Sequence, residues 1–305
     1  MMKKMLLLAL LHVMISSSVC GQDKDAMGRH QRVLKTLFTR VEGAATDNER
    51  YLASEEAMQQ LLAALDEESS QRWRWELGDY VSVLTSGDGK LRVFSWAVVR
   101  DDGEFECFGV MQYYDEREEE YRHTVLTDKS DEIVNREETV LDASHWLGAV
   151  YQSLIETRAG DRTYYTLLGW NGVDNLTERK IVEPVTLRGG RVQFGAPIFR
   201  RERNLRRIVL EYSNEAVVNL SYGDRVIQTV ERKREKVRGT KRHRTVEKVK
   251  ERKERVILYD EVEAQVAGME GLFEWYYPSG TEVAWQWVDG KWQRVEGAQG
   301  RGSKL

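Results

Sequence analysis

Three residues of this chain could form an acid–base set. Asp142 stands three positions before His145, where a carboxylate could orient an imidazole as general base. Asp174 could complete a hydrolytic group if folding brought it near. No serine in a nucleophile-elbow context accompanies them. Cys107, in the apolar run FECFGV, reads as a buried thiol rather than a nucleophile. The histidines after residue 21 are His30, His123, His145 and His243. None has a second His or Cys at ligand spacing, so neither a transition-metal site nor a cofactor is expected.

Binding chemistry has its own candidates. The stretch WNGVDN offers Trp170 as a stacking platform, with Asn171, Asp174 and Asn175 as polar ligands for a sugar or cation. A tight turn with positive φ at Asn171-Gly172, and Trp170 against the core, accounts for the same residues. Trp73 with Trp75, and Trp285 with Trp287, are each two apart and could share a strand face. Exposed there, they would suit saccharide rings; aromatics at this spacing are more often core. The acidic DEREEE (Asp115 to Glu120) lacks the glycine-enabled turn of a calcium loop and reads as a solvated hairpin tip.

The run ERKREKVRGTKRHRTVEKVKERKER (Glu231 to Arg255) holds thirteen Lys or Arg and five Glu, a net +8 in a chain of formal charge -4. With Lys3 and Lys4 removed alongside a leader, the remainder carries -14, so an acidic body bears one basic arm. Arg232, Lys233, Arg234, Lys241, Arg242 and Arg244 are its candidate contacts to an anionic surface. Partners that fit are an anionic envelope polymer, a lipid headgroup or a protein. Nucleic acid does not fit, because the run has no aromatic to stack a base and its glutamates repel phosphate. Strands on both flanks favour a two-stranded ribbon, while Glu247–Glu251–Arg255 suits helical pairing; both remain open.

These residues must be positioned by an α+β fold. Val33, Leu34, Leu37, Phe38 and Val41, then Met58, Leu61, Leu62 and Leu65, follow helical spacing and predict a helical unit over 22–70. From 71 to 305 the texture is short β-branched and aromatic runs between Asp-Gly and Gly-Gly turns. That pattern predicts an antiparallel meander carrying the basic insertion at 231–255. Both alternations of RVFSWAVV are apolar, as in a central strand buried on two faces. Short breaks are expected at Ser213-Asn214 and Gly223-Asp224, and one further helix around Glu138 to Trp146.

The N-terminus, MMKKMLLLALLHVMISSSVCG, has the charged start, short apolar run and small residues of a signal peptide over 1–21. Export to the periplasm or beyond is expected, with a lipoprotein anchored at Cys20 as the alternative. No later segment is apolar enough to span a membrane as a helix.

The segments YYTLLGWNGVDNLTERKIVEPVTL and RVQFGAPIFRR resemble a group of exported Bacteroidetes proteins with a Tyr-Tyr-x-Leu-Leu-Gly-Trp-x-Gly and Phe-Gly-Ala-Pro-x-Phe signature. SGDGKLRVFSW, HWLGAVYQSL and VILYDEV look similar too. The resemblance implies a bacterial envelope setting and no particular activity. It also implies that the basic run is inserted into a hairpin that is otherwise short. Function is therefore expected to be that of a non-enzymatic binding or structural module, with a carboxylate–histidine hydrolase as the alternative.

Overall fold

The computed structural model describes residues 25–236, 243–295 and 298–299. The segment 1–21 expected to be a leader, with Cys20, and Lys241 and Arg242 of the basic run, lie outside the described residues. The architecture is α+β: helices first, then strands that pair antiparallel within three sheets.

Helices α1 (25–43) and α2 (Asp47–Leu65) make the expected hairpin. Thr46 caps α2 by accepting the Glu49 N–H, and Asp47 and Glu49 place negative charge at the positive end of the helix. Arg50 fixes that end to the first sheet through Asp101 at 2.8 Å.

The first sheet is a meander of β1 (Ser82–Thr85), β2 (Leu91–Val99), β3 (Phe105–Asp115) and β4 (Glu120–Thr127). Its central β2 is buried on both faces, as its two apolar alternations require. Phe94, Trp96 and Val98 pack under the helices with Phe38 and Leu61, while Leu91 and Val93 face the second sheet. DEREEE forms the tip between β3 and β4, with Glu119 at φ 57°.

The second sheet contains β5 (Leu141–Asp142), β6 (Val150–Ala159), β7 (Arg162–Asn171), β8 (Thr177–Arg188), β9 (Arg191–Phe194) and β10 (Ile208–Ser213). Long β8 has β7 on one edge and divides its other edge between β10 and β9. The third sheet runs β14 (Lys291–Val295), β13 (Tyr276–Val288), β12 (His243–Ala264), β11 (Leu220–Lys236), β15 (Ala298–Gln299). Ile155, Leu168 and Val182 on the second sheet pack against Ile257, Val283 and Trp285 on the third. The result is a stack of helices and three sheets with a core at each junction, rather than one continuous meander.

Two expectations change, and of the two forms left open for the basic run the described residues adopt the favoured ribbon. Residues 138–146 form β5 and a turn, not a helix. The Asp142 carboxylate accepts the N–H groups of Ser144 at 2.9 Å and His145 at 3.0 Å, a local alternative to helical bonding. The Thr139 carbonyl is taken by Arg207, and Leu141 pairs with Phe194. The break at Gly223-Asp224 does not exist: β11 runs straight through it, with Gly223 opposite Val256 and Asp224 bonded to Lys253 at 2.9 Å. The basic run is a ribbon and not a helical pair. Gln228–Lys236 and His243–Glu251 pair with each other in continuous register and with no other described strand.

Candidate functional site

The loop that looked most like a motif uses its polar groups to bond its own backbone and its neighbours. Asn171 is buried; its Nδ2 donates to the Gly148 carbonyl at 3.1 Å and its Oδ1 accepts the Val173 N–H at 2.8 Å. The left-handed residue is Val173, at φ 52°, not Asn171 or Gly172. Gly172 is required for another reason: a Cβ there would lie 2.5 Å from the Phe105 ring. Asp174 Oδ1 accepts from the backbone of Leu176 and Thr177 and from the Thr177 hydroxyl, and Asn175 donates to the Asp102 carbonyl. Trp170 meets Phe105 edge-on at 5.4 Å and donates to Glu178 at 3.0 Å. Trp170, Asn171, Asp174 and Asn175 therefore hold the β7–β8 connection together.

The hydrolytic set fails on geometry. Asp142 pairs with Gln193, which pairs with Thr186 near the C-terminal end of β8, whereas Asp174 precedes the N-terminal end at Thr177. Nine residues of strand separate these ends, roughly 30 Å at about 3.3 Å per residue. Asp142 and His145 do touch, at 3.3 Å, but both are well exposed. Hydrogen bonds from Ser144, then from His145, hold the Asp142 carboxyl below its ordinary range, the wrong direction for a general acid. Cys107 is a buried, unpaired thiol, and burial raises its pKa well above the usual value. Among the described residues no group of three or more His, Cys, Asp or Glu is arranged to hold a metal ion.

The tryptophan pairs also resolve as packing. Trp285 is buried against Phe199, and Trp287 packs between Trp292 at 5.3 Å and Tyr164 at 6.2 Å. Trp73 and Trp75 lie outside any strand; Trp73 donates to Gln31, and Trp75 sits edge-on to Phe94. The bulk of an indole is more valuable to these junctions than to a flat external platform.

The signature residues surround a buried ion pair that the sequence reading missed. Arg207 and Glu183 have no exposed side-chain surface and meet at 2.6 Å. Arg207 also donates to the carbonyls of Arg136, Thr139 and Phe194, so its guanidinium is almost fully bonded. Trp146 donates to the Tyr151 hydroxyl at 2.7 Å, which donates to Glu183 at 3.2 Å. The Gly of Phe-Gly-Ala-Pro, Gly195, has φ 88°, and a Cβ there would sit 2.9 Å from the Arg207 guanidinium. Gly169 in the other signature segment lies equally close to the Tyr151 ring. Four residues along the same strand pairing, Arg179 and Glu211 form a second ion pair with the charges exchanged, at 2.7 Å. The signal available in sequence was the alternation Arg179, Ile181, Glu183, Val185, two charges on an otherwise apolar strand face.

The main concavity opens elsewhere, where three hairpin ends meet: Asp115–Arg117 after β3, Asp161-Arg162 between β6 and β7, and Arg188–Gly190 between β8 and β9. Its volume is about 590 Å³. The floor is fixed by contacts between sheets. Tyr113 donates to the Gly190 carbonyl at 3.0 Å, and Tyr165 donates to Asp88 at 2.9 Å. Gly190, at φ 72°, brings its α-carbon against the buried Asp115 carboxylate, where a Cβ would be only 2.4 Å away.

The second external feature is the ribbon. Nine registered pairs, from Gln228↔Glu251 to Lys236↔His243, extend it about 30 Å at roughly 3.4 Å per residue. The register sets Glu231 opposite Lys248, Arg232 opposite Glu247 and Glu235 opposite Arg244, with Lys233 and Arg234 also on the ribbon. Among the described residues no helix is long and apolar enough to cross a membrane. Comparison with protein families, curated proteins and solved structures finds no match to this chain.

Proposed function

We propose that this is an exported, non-enzymatic binding module of the bacterial envelope, which uses its basic ribbon to hold an anionic envelope polymer. The observation that carries the reading is the ribbon itself. Nine residue pairs project with no third described strand, from a run of net charge +8 on a body of opposite sign. A ribbon of this length gains little from a core, because no described strand flanks it. Its charge instead keeps two open strand edges in solution and gives it long-range attraction for polyanions. The leader-like N-terminus and the resemblance of the signature segments support the compartment.

The test is retention on isolated envelope material across a salt series. One arm uses the full chain. The other uses a chain lacking Gln228–Glu251, with Ile227 joined to Arg252 through Asn-Gly. Arg252 to Arg255 stay, since Lys253 pairs with Asp224 and Arg255 lies 4.4 Å over the Tyr222 ring at the base. The full chain is expected to be retained at low salt and released as the screening length falls below about 8 Å. Equal retention of both chains overturns the reading. Retention by anionic vesicles alone, or by a single envelope protein, replaces the polymer with that partner.

A further inference from the structure

We infer that the cleft between the three hairpin ends binds an acidic sugar unit, a saccharide ring carrying a carboxylate. The first ground is the charge left over at its walls. Four cations line it, Lys90, Arg117, Arg162 and Arg188. Lys90 is taken by Glu116 at 2.6 Å, but the three arginine side chains make no ion pair with any described residue. Of the lining carboxylates, Asp115 is buried, accepts the Arg117 N–H and faces Arg122 at 3.6 Å, and Glu116 holds Lys90. Only Asp161 remains to oppose three guanidinium groups. The rest of the acidic tip, Glu118 to Glu120, does not line the cleft.

The second ground is the Gly189-Gly190 turn. Its register sets Arg188 directly opposite Arg191, both exposed and both without an ion-pair partner among the described residues. Like charges facing across a strand pair repel, so this hairpin end is eased by an anion beside Arg188, which lines the cleft where Arg191 does not. A planar carboxylate matches the fork of a guanidinium, and paired guanidinium groups hold it in a defined orientation.

The third ground is the aromatic lining. Tyr114 and Tyr164 are half-buried on the cleft wall, and neither hydroxyl has a hydrogen-bond partner among the described residues. Tyr114 is fixed edge-on to Tyr121 at 5.2 Å, and Tyr164 is held by Trp287. Lys90 lies over the Tyr114 ring at 5.8 Å, so Tyr114 contributes its free hydroxyl, while Tyr164 offers ring surface and a hydroxyl; together they suit a sugar ring with its hydroxyl groups. A cleft of about 590 Å³ falls within the range of small-molecule sites and holds one or two such rings.

The test is calorimetric titration with trigalacturonate and with the neutral galactose trimer. Three proteins are compared: wild type, the form lacking Gln228–Glu251, and Arg162→Gln/Arg188→Gln. Trigalacturonate is expected to bind wild type and the ribbonless form equally, and the neutral trimer at least tenfold more weakly. The double arginine variant should lose tenfold or more in affinity while keeping the wild-type unfolding midpoint, since both positions are exposed. Equal binding of the two sugars, full affinity in the arginine variant, or no binding of trigalacturonate to wild type overturns the inference. Loss of binding in the ribbonless form does so too. Failure of the ribbon to retain envelope material leaves this result unaffected, so the two readings fall separately.

Discussion

The second sheet and the foot of the ribbon both join a basic to an acidic side chain across antiparallel strands, and the two settings give such a pair different consequences. In the interior, Arg207 and Glu183 have surrendered water entirely, so every remaining polar atom needs a partner, and the carbonyls of Arg136, Thr139 and Phe194 supply them. At the foot of the ribbon, Lys253 and Asp224 are 71% and 50% exposed, and water competes for both groups. Burial turns a pair into a structural commitment; exposure leaves it a matter of solubility and encounter.

Breaking the interior pair should give the largest effect. Arg207→Ala leaves Glu183 buried and uncompensated, and chemical unfolding should show a loss of about 3–5 kcal/mol. A loss below about 1 kcal/mol would mean that water reaches the pair. Next comes Gly172→Ala, whose Cβ drives into the Phe105 ring; about 1–3 kcal/mol is expected from overpacking.

A third measurement concerns the half-buried carboxyl of Asp128. Partial burial raises its pKa, so the folded state holds its proton more tightly than the unfolded state. Its contribution to stability is full below the ordinary carboxylate range and is lost as pH rises through that range toward the raised folded value. Asp128→Asn should therefore unfold with less loss of stability on going from acid to neutral pH than wild type. Parallel pH profiles would refute the raised value. The smallest effect belongs to the ribbon: Asp224→Asn, or removal of Gln228–Glu251, should leave the body's unfolding midpoint unchanged. A fall on removal would show that the ribbon braces the third sheet.

What could be read in the sequence follows the range of the interactions involved. Asp-Gly and Gly-Gly turns act over a few residues, so the hairpins at 101–104, 188–191 and 288–291 were legible. So was β2, whose two apolar faces demand a layer on each side. Gly223-Asp224 misled because a glycine opposite Val256 in a long ladder looks, in one dimension, like a turn. Asp142 misled because its neighbours scan as helical while its carboxylate caps a local turn. The cleft was invisible, since its wall comes from hairpin ends some 75 residues apart that meet only when two sheets stack. One local hint existed in Arg-Gly-Gly-Arg, a tight turn that must bring two like charges face to face.

Cys107 gives the molecule an internal clock. It is the one thiol among the described residues, it lies on β3 at the junction of the first two sheets, and burial keeps it protonated. A thiol reagent can reach it only when that junction parts. The rate of modification therefore counts openings of the body under native conditions, without a probe having to be introduced. If the sheets open only with global unfolding, that rate should fall as denaturant-measured stability rises, and ligand in the cleft should slow it further.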